Sequence, residues 1–150
     1  MGICDGRVVV ITGAARGLGR AHALAFAAEG AKVVVNDRGV ERDGSSGTSD
    51  AAQEVVDEIV AAGGEAVANA ADVADWDQSQ AMIQQAIDTF GGLDTVVLNA
   101  GFLKDRMLAG MSEAEWDSVT RVHLKGHFAP ARHALEYWRD QAKNGTPVAA

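Results

Sequence analysis

The stretch Arg7 to Gly19, RVVVITGAARGLG, runs from a β-branched segment through three glycines spaced GxxxGxG into a helical pattern. Val8 to Ile11 form a continuous apolar run, the pattern of a strand buried on both faces of a parallel sheet. Thr12 and Gly13 end that strand. Gly13 permits a sharp turn, while Gly17 and Gly19 remove Cβ atoms where a diphosphate and a neighbouring strand approach the backbone. A helix starting at Gly17 or Leu18 points its unpaired N–H groups and positive dipole end at the turn, a setting that suits phosphate oxygens. No Gly-Lys-Ser/Thr follows, which excludes a P-loop. Glycines at this spacing also occur in plain strand-to-helix turns, so further residues must decide.

The helix Leu18 to Glu29 stops at Gly30, and a second strand, Lys32 to Asn36, is followed directly by Asp37. A carboxylate 18 residues beyond Gly19 is placed to accept hydrogen bonds from both ribose hydroxyls of an adenosine. It also repels a 2′-phosphate, which favours NAD over NADP. Arg16 works the other way, as a cation able to pair with that phosphate. Asp37 carries more weight, because a carboxylate held against a 2′-phosphate costs more than a flexible surface arginine gains. The plain alternative for Asp37 is a solvated turn residue.

Further units alternate along the chain. Ser49 to Ala62 places Val55, Val56, Ile59 and Val60 at helical spacing before Gly63-Gly64, and Glu65 to Ala71 reads as a third strand. Asp75 to Phe90 reads as a third helix, with Asp75 as N-cap and Met82, Ile83, Ala86, Ile87 and Phe90 on one face. Asp94 to Asn99 is the fourth strand. Ser112 caps a long helical region with Glu113 and Glu115 in its first turn, and a crossover helix is expected over Trp116 to Ala142. This order predicts an α/β fold, a doubly wound parallel sheet with helices on both faces. Arg38 to Ser49, polar and glycine-rich, reads as a surface loop beside the adenosine end of the site.

Composition bounds the function classes. At 150 residues, 47% hydrophobic and 5% aromatic, the chain has room for one domain with a real core. A net charge of -8, from 21 acidic and 13 basic residues, argues against nucleic acid or an anionic membrane as partner. The single cysteine, Cys4, excludes an intramolecular disulfide and agrees with a reducing compartment; without a membrane-length apolar stretch or a signal-peptide core, a cytoplasmic location is expected. Gly6 stands where a myristoylation signal needs Ser or Thr. His22, His127 and His133 lack partners at metal-ligand spacing, and no metal site is expected. Trp76, Trp116, Trp138 and Met107 are expected to be packing residues.

Three motifs in order, TGAARGLG at Thr12 to Gly19, ADV at Ala71 to Val73 and NAG at Asn99 to Gly101, with Asp37 between them, resemble the short-chain dehydrogenases/reductases. The resemblance spans essentially the whole chain and implies a Rossmann-type fold. It implies that Thr12, Gly13, Arg16, Gly17, Leu18 and Gly19 hold the pyrophosphate end of the cofactor. It further implies that Asp72 binds the adenine amino group, that Val73 lines the adenine pocket, and that Asn99, Ala100 and Gly101 flank the adenosine and stabilise the sheet. Within the family, VVVNDRG at Val33 to Gly39 and the stretch Gly101 to Phe128 are similar to the (3R)-hydroxyacyl-CoA dehydrogenase domains of type 2 multifunctional enzymes and their bacterial relatives. Leu98 departs from the usual Asn-Asn-Ala-Gly pattern. His123 departs too: it occupies the slot of an asparagine that bends the helix and holds a relay water. An imidazole can donate to or accept from that water and brings a pH dependence, so His123 is the candidate catalytic residue. The alternative is a buried histidine bonded to the backbone.

The family's catalytic serine and YxxxK pair have no match: Tyr137 is the only tyrosine, and Gln141 stands where the lysine is required. A fifth strand is expected to begin at Thr146 to Ala150. Residues 1–150 are therefore expected to be the dinucleotide-binding part of a single domain that continues beyond them. Such a piece leaves part of the crossover helix's apolar face and a strand edge uncovered. The leading expectation is an NAD-dependent oxidoreductase acting on a small secondary alcohol or ketone, a 3-hydroxyacyl-CoA being one such substrate, and assembling as a homo-oligomer. A non-catalytic dinucleotide-binding module is the alternative. An S-adenosylmethionine methyltransferase shares the glycine turn but does not explain the ordered ADV and NAG motifs.

Overall fold

The computed structural model describes residues 2–39 and 50–146. Its strands are β1 (Val8–Thr12), β2 (Lys32–Asn36), β3 (Glu65–Asn69) and β4 (Thr95–Val97). They form one parallel sheet in the order β3-β2-β1-β4. The helices are α1 (Gly17–Ala28), α2 (Ala51–Ala61), α3 (Trp76–Phe90), α4 (Glu113–Thr120) and α5 (Gly126–Lys143).

The continuous apolar run of β1 is explained by its two buried faces. Val9 and Ile11, with Val33 and Val35, pack against Ala23 of α1 and Val55, Val56 and Ile59 of α2. The intervening residues Val8, Val10 and Val34 pack the opposite way, against Met82, Ile83 and Ala86 of α3 and Ala134 of α5. Because successive strand side chains alternate between faces, one apolar strand supplies both cores. Each fully buried Val or Ile here contributes about 1.5–3 kcal/mol relative to exposure. Val10 sits at the centre, in register with Val34 on one side and Val96 on the other.

Several boundaries differ from the sequence reading for local polar reasons. β3 ends at Asn69 rather than Ala71, because the Asn69 side chain accepts from the Ala71 N–H at 2.9 Å and from Asn36 Nδ2 at 2.7 Å. That short-range bond turns the chain out of the ladder. β4 ends at Val97, since the N–H groups of Asn99 and Ala100 donate to the Thr12 hydroxyl instead. Val60 is exposed, as α2 buries the stripe Ala52, Val55, Val56 and Ile59 and Val60 lies off it. Asp75 does cap α3, accepting from the Gln78 N–H at 3.0 Å. The expected long crossover helix is broken: a π-helical turn, Arg121–Lys125, separates α4 from α5.

The aromatic residues divide. Trp138 packs against the α3/α5 core and its Nε1–H donates to the Leu93 carbonyl at 2.7 Å. Trp76 meets the ring of His133 edge-on at 4.3 Å, and His133 is buried there. Trp116 and Met107, expected to pack, are 56% and 85% exposed, on the outer face of α4 and in the loop after β4, where no described element covers them. No described helix is long and apolar enough to cross a membrane. Most of the polar insert (40–49) and the start of the expected fifth strand (147–150) lie outside the described residues.

Candidate functional site

The carboxyl ends of all four strands point into one cleft of about 640 Å³. Gly13, Arg16, Gly17 and Leu18 line it from the turn after β1, Asp37 and Arg38 from the end of β2, Asp72 and Val73 from the end of β3, and Asn99, Ala100 and Gly101 from the end of β4. Phe102 and Val122 also line it; the sequence reading did not single them out.

The glycines of the turn have separate tasks. Gly17 has φ +53°, and a Cβ built on it would meet nothing within 4 Å, so its missing side chain keeps open space at the N-terminus of α1. Gly19 is different: its Cβ would lie 2.1 Å from the Gly13 carbonyl oxygen and 2.6 Å from Asn99 Nδ2. Gly19 therefore serves close packing of α1 onto the turn. α1 starts without a side-chain cap, so its first N–H groups are left to the cleft. An uncapped helix N-terminus beside a vacant Cβ position fits a dinucleotide pyrophosphate.

Asn99 fastens this turn. Its Nδ2 donates to the Thr12 carbonyl at 3.1 Å and to the Gly13 carbonyl at 3.0 Å. The Thr12 hydroxyl in turn accepts from the N–H groups of Asn99 and Ala100 and donates to the Val97 carbonyl. Thr12 is thus buried and does not line the cleft, contrary to its expected place among the cofactor-binding residues; its hydroxyl ties β1 to β4 instead.

Asp37 sits at the tip of β2 as expected. One carboxylate oxygen accepts from the Ala15 N–H at 3.1 Å and the other from the Gly39 N–H at 2.8 Å. The carboxylate is fixed against the glycine turn and keeps lone pairs for donors in the cleft. Asp72 is more heavily engaged. Its carboxylate accepts from the Ala74 N–H at 2.9 Å, from Arg121 Nη1 at 2.9 and 3.3 Å, and from Arg38 Nη1 at 3.2 Å. Burial pushes its carboxyl up, but the Ala74 bond and the two guanidinium groups outweigh this and hold it below the usual carboxylate range. Neither arginine was legible as a partner, because Arg121 lies 49 residues away and no local pattern joins them. Val73 is buried and packs on Gly126, where a Cβ would approach its Cγ2 to 2.8 Å.

His123 lies in the π-helical turn. Its Nε2 pairs with the Phe102 carbonyl at 3.0 Å, and its ring stacks beside that of His127 at 6.2 Å. It is bonded to the backbone, yet exposed rather than buried, and it does not itself line the cleft. Gly101 makes room for it: a Cβ there would lie 2.6 Å from His123 Cε1. Tyr137 packs with the α3/α5 core and does not line the cleft. Among the described residues no group of three or more His, Cys, Asp or Glu side chains is arranged to hold a metal ion.

The short chain dehydrogenase family matches residues 7–149. This chain belongs to the short-chain dehydrogenase family. Among relatives of this short-chain dehydrogenase, the peroxisomal multifunctional enzyme type 2 of Mus musculus is 48% identical over 137 residues, covering 91% of this chain and 18% of the mouse protein. The hydroxyacyl-CoA dehydrogenase ChsB1 of Mycobacterium tuberculosis is 50% identical over 144 residues, covering 93% of this chain and 43% of its own length. A crystal structure of a short chain dehydrogenase from Mycobacterium avium superposes with a TM-score of 0.91 at 64% identity, covering 98% of this chain and 52% of that one. The chain therefore spans about half the length, or less, of these relatives.

Proposed function

We propose that this chain is the cofactor-binding part of an NAD-dependent oxidoreductase, a domain continuing beyond residue 150, that acts on a secondary alcohol or ketone. The observation that carries the reading is Asp37: a carboxylate held by Ala15 and Gly39 N–H groups, in the same cleft as the open space at Gly17. A ribose with free 2′- and 3′-hydroxyls offers that carboxylate two donors, whereas a 2′-phosphate meets it as a like charge. In this reading Gly13, Arg16, Gly17 and Leu18 surround the pyrophosphate, Gly19 lets α1 pack on the turn that holds it, Asp72 and Val73 receive the adenine, and Asn99 to Gly101 flank the adenosine. When bound, the nicotinamide accepts or donates the hydride that interconverts alcohol and ketone.

A 3-hydroxyacyl-CoA is the substrate class we favour, supported by the hydroxyacyl-CoA dehydrogenase named among the relatives. His123, anchored on Phe102 beside the cleft, is proposed to stand in a proton relay. The single cysteine supports a reducing, cytoplasmic setting, and the exposed apolar residues of α5 support assembly as a homo-oligomer. Asp37→Ala in the full protein is expected to weaken NAD binding at least tenfold while changing NADP much less, measured by fluorescence titration. Equal changes for both dinucleotides would remove Asp37 from the ribose site. A second reading, a dinucleotide-binding module without chemistry, draws on the position of Tyr137 in the core instead of the cleft. Turnover of 3-hydroxyacyl-CoA or another secondary alcohol by the full protein decides against it.

A further inference from the structure

Two arginines and two carboxylates meet at the adenosine end of the cleft, and their pairing is selective. Arg38 follows Asp37 directly, yet its guanidinium reaches across to Asp72 at the end of the next strand. The Asp72 side chain is only 14% exposed and is itself fixed by the Ala74 N–H and by Arg121, whereas the Arg38 side chain is 57% exposed. Asp72 is the anchored member and Arg38 the held one. A carboxylate offers about four acceptor positions. Three donor nitrogens share those of Asp72, the Ala74 N–H and Nη1 of Arg38 and of Arg121, the last bridging both oxygens.

We infer that Asp72 is a specificity-determining residue: by holding Arg38 it keeps a guanidinium away from the ribose that Asp37 faces. The inference rests on the proposed NAD site. A guanidinium is the side chain best shaped to take a phosphate through two parallel hydrogen bonds. Arg38 starts from the residue next to the ribose-binding carboxylate, so an Arg38 released from Asp72 has a 2′-phosphate within its range. Two features then exclude NADP, the like charge of Asp37 and the removal of a nearby cation by Asp72.

Asp72→Asn tests this in the full protein, because the amide oxygen still accepts from Ala74 while the charge that holds Arg38 is gone. Dissociation constants for NADP and NAD are measured by fluorescence titration in wild type, Asp72→Asn, Arg38→Met and the double variant. NADP is expected to bind roughly three- to fivefold more tightly to Asp72→Asn, the scale of a part-exposed ion pair, and the gain should vanish in the double variant. An adenine-only or purely structural role for Asp72 weakens both dinucleotides alike, and that result overturns the proposal. So does a gain that survives Arg38→Met, which would assign it to Arg121. Wild type that prefers NADP would instead show that the NAD reading itself is wrong. A misfolded Asp72→Asn is distinguished by its circular dichroism. In that event Arg121→Met, which removes the guanidinium that competes with Arg38 for the same Asp72 oxygen and leaves the Ala74 bond, should tighten the hold on Arg38 and lower NADP affinity relative to NAD, and an unchanged or raised NADP preference overturns the proposal.

Discussion

A single missing methyl group has opposite meanings at Gly17 and Gly19. At Gly19 an added Cβ collides with the Gly13 carbonyl oxygen and the Asn99 amide, neither of which can yield without opening the turn. Gly19→Ala is expected to destabilise the protein by about 1–3 kcal/mol, the usual range for overpacking, read as a lower denaturant midpoint. At Gly17 the added atoms enter open cleft, and left-handed backbone at φ +53° costs a residue with a Cβ about 1–2 kcal/mol. Gly17→Val should therefore fold and fail to bind either dinucleotide; a folded Gly17→Val with unchanged affinity would remove the phosphate from this turn. The glycine spacing was legible in the sequence, since it follows from local turn geometry. The division of tasks was not, because it depends on Asn99, which reaches Gly13 across 86 residues. The buried place of Thr12 was not legible for the same reason: its hydroxyl partners, Val97, Asn99 and Ala100, come from the end of β4 and the turn after it.

Among the elements, the α4–α5 region shows where periodicity reads well and where it does not. Ser112 and Glu115 form a reciprocal cap at the start of α4, as the S-x-x-E spacing predicts. Glu115 also receives Arg106 at 2.6 Å, which joins the loop after β4 to the helix. The Ser112 backbone and hydroxyl bonds, with Arg106, lower its carboxyl from 4.5 to about 2. Because the folded value is the lower one, the stabilisation is present above about pH 4.5 and is lost as pH falls toward 2. Amide protection at Glu115 should decline across that window in hydrogen-exchange measurements, and Glu115→Gln should remove the decline. The π-helical turn was not legible as such, because the apolar pattern of Trp116 to Ala142 continues through it; only the resemblance, which implies a bend at the slot of His123, pointed there. Such turns recur at functional sites. His123→Asn in the full protein should retain activity with a shifted pH–rate profile, whereas an inactive, misfolded product would leave His123 a structural role.

For the whole molecule, the alternation of strands and helices predicted a doubly wound sheet, and both cores lie where the β1 run placed them. Sheet order was not readable from that alternation, because it depends on which way each crossover passes. The α3/α5 side is the less covered of the two. Leu124, Phe128 and Leu135 fall on one stripe of the π-helical turn and α5 and are more than half exposed, and among the described strands β4 pairs with β1 alone. A 150-residue polypeptide of this sequence should bind a dye for apolar surface more strongly than the full protein does. No excess of dye binding would mean that these residues are covered within the chain itself.

The fastening of the glycine turn also orders events in time. Thr12 and Gly13 leave the ribosome early, but the amide that locks them belongs to Asn99, and contacts this distant in sequence are the slow ones to form. A nascent chain shorter than 99 residues carries all three glycines, the apolar run of β1 and the Asp37 carboxylate, yet its glycine turn is still loose. A dinucleotide held as proposed can help hold the fold together only after the fourth strand has been made.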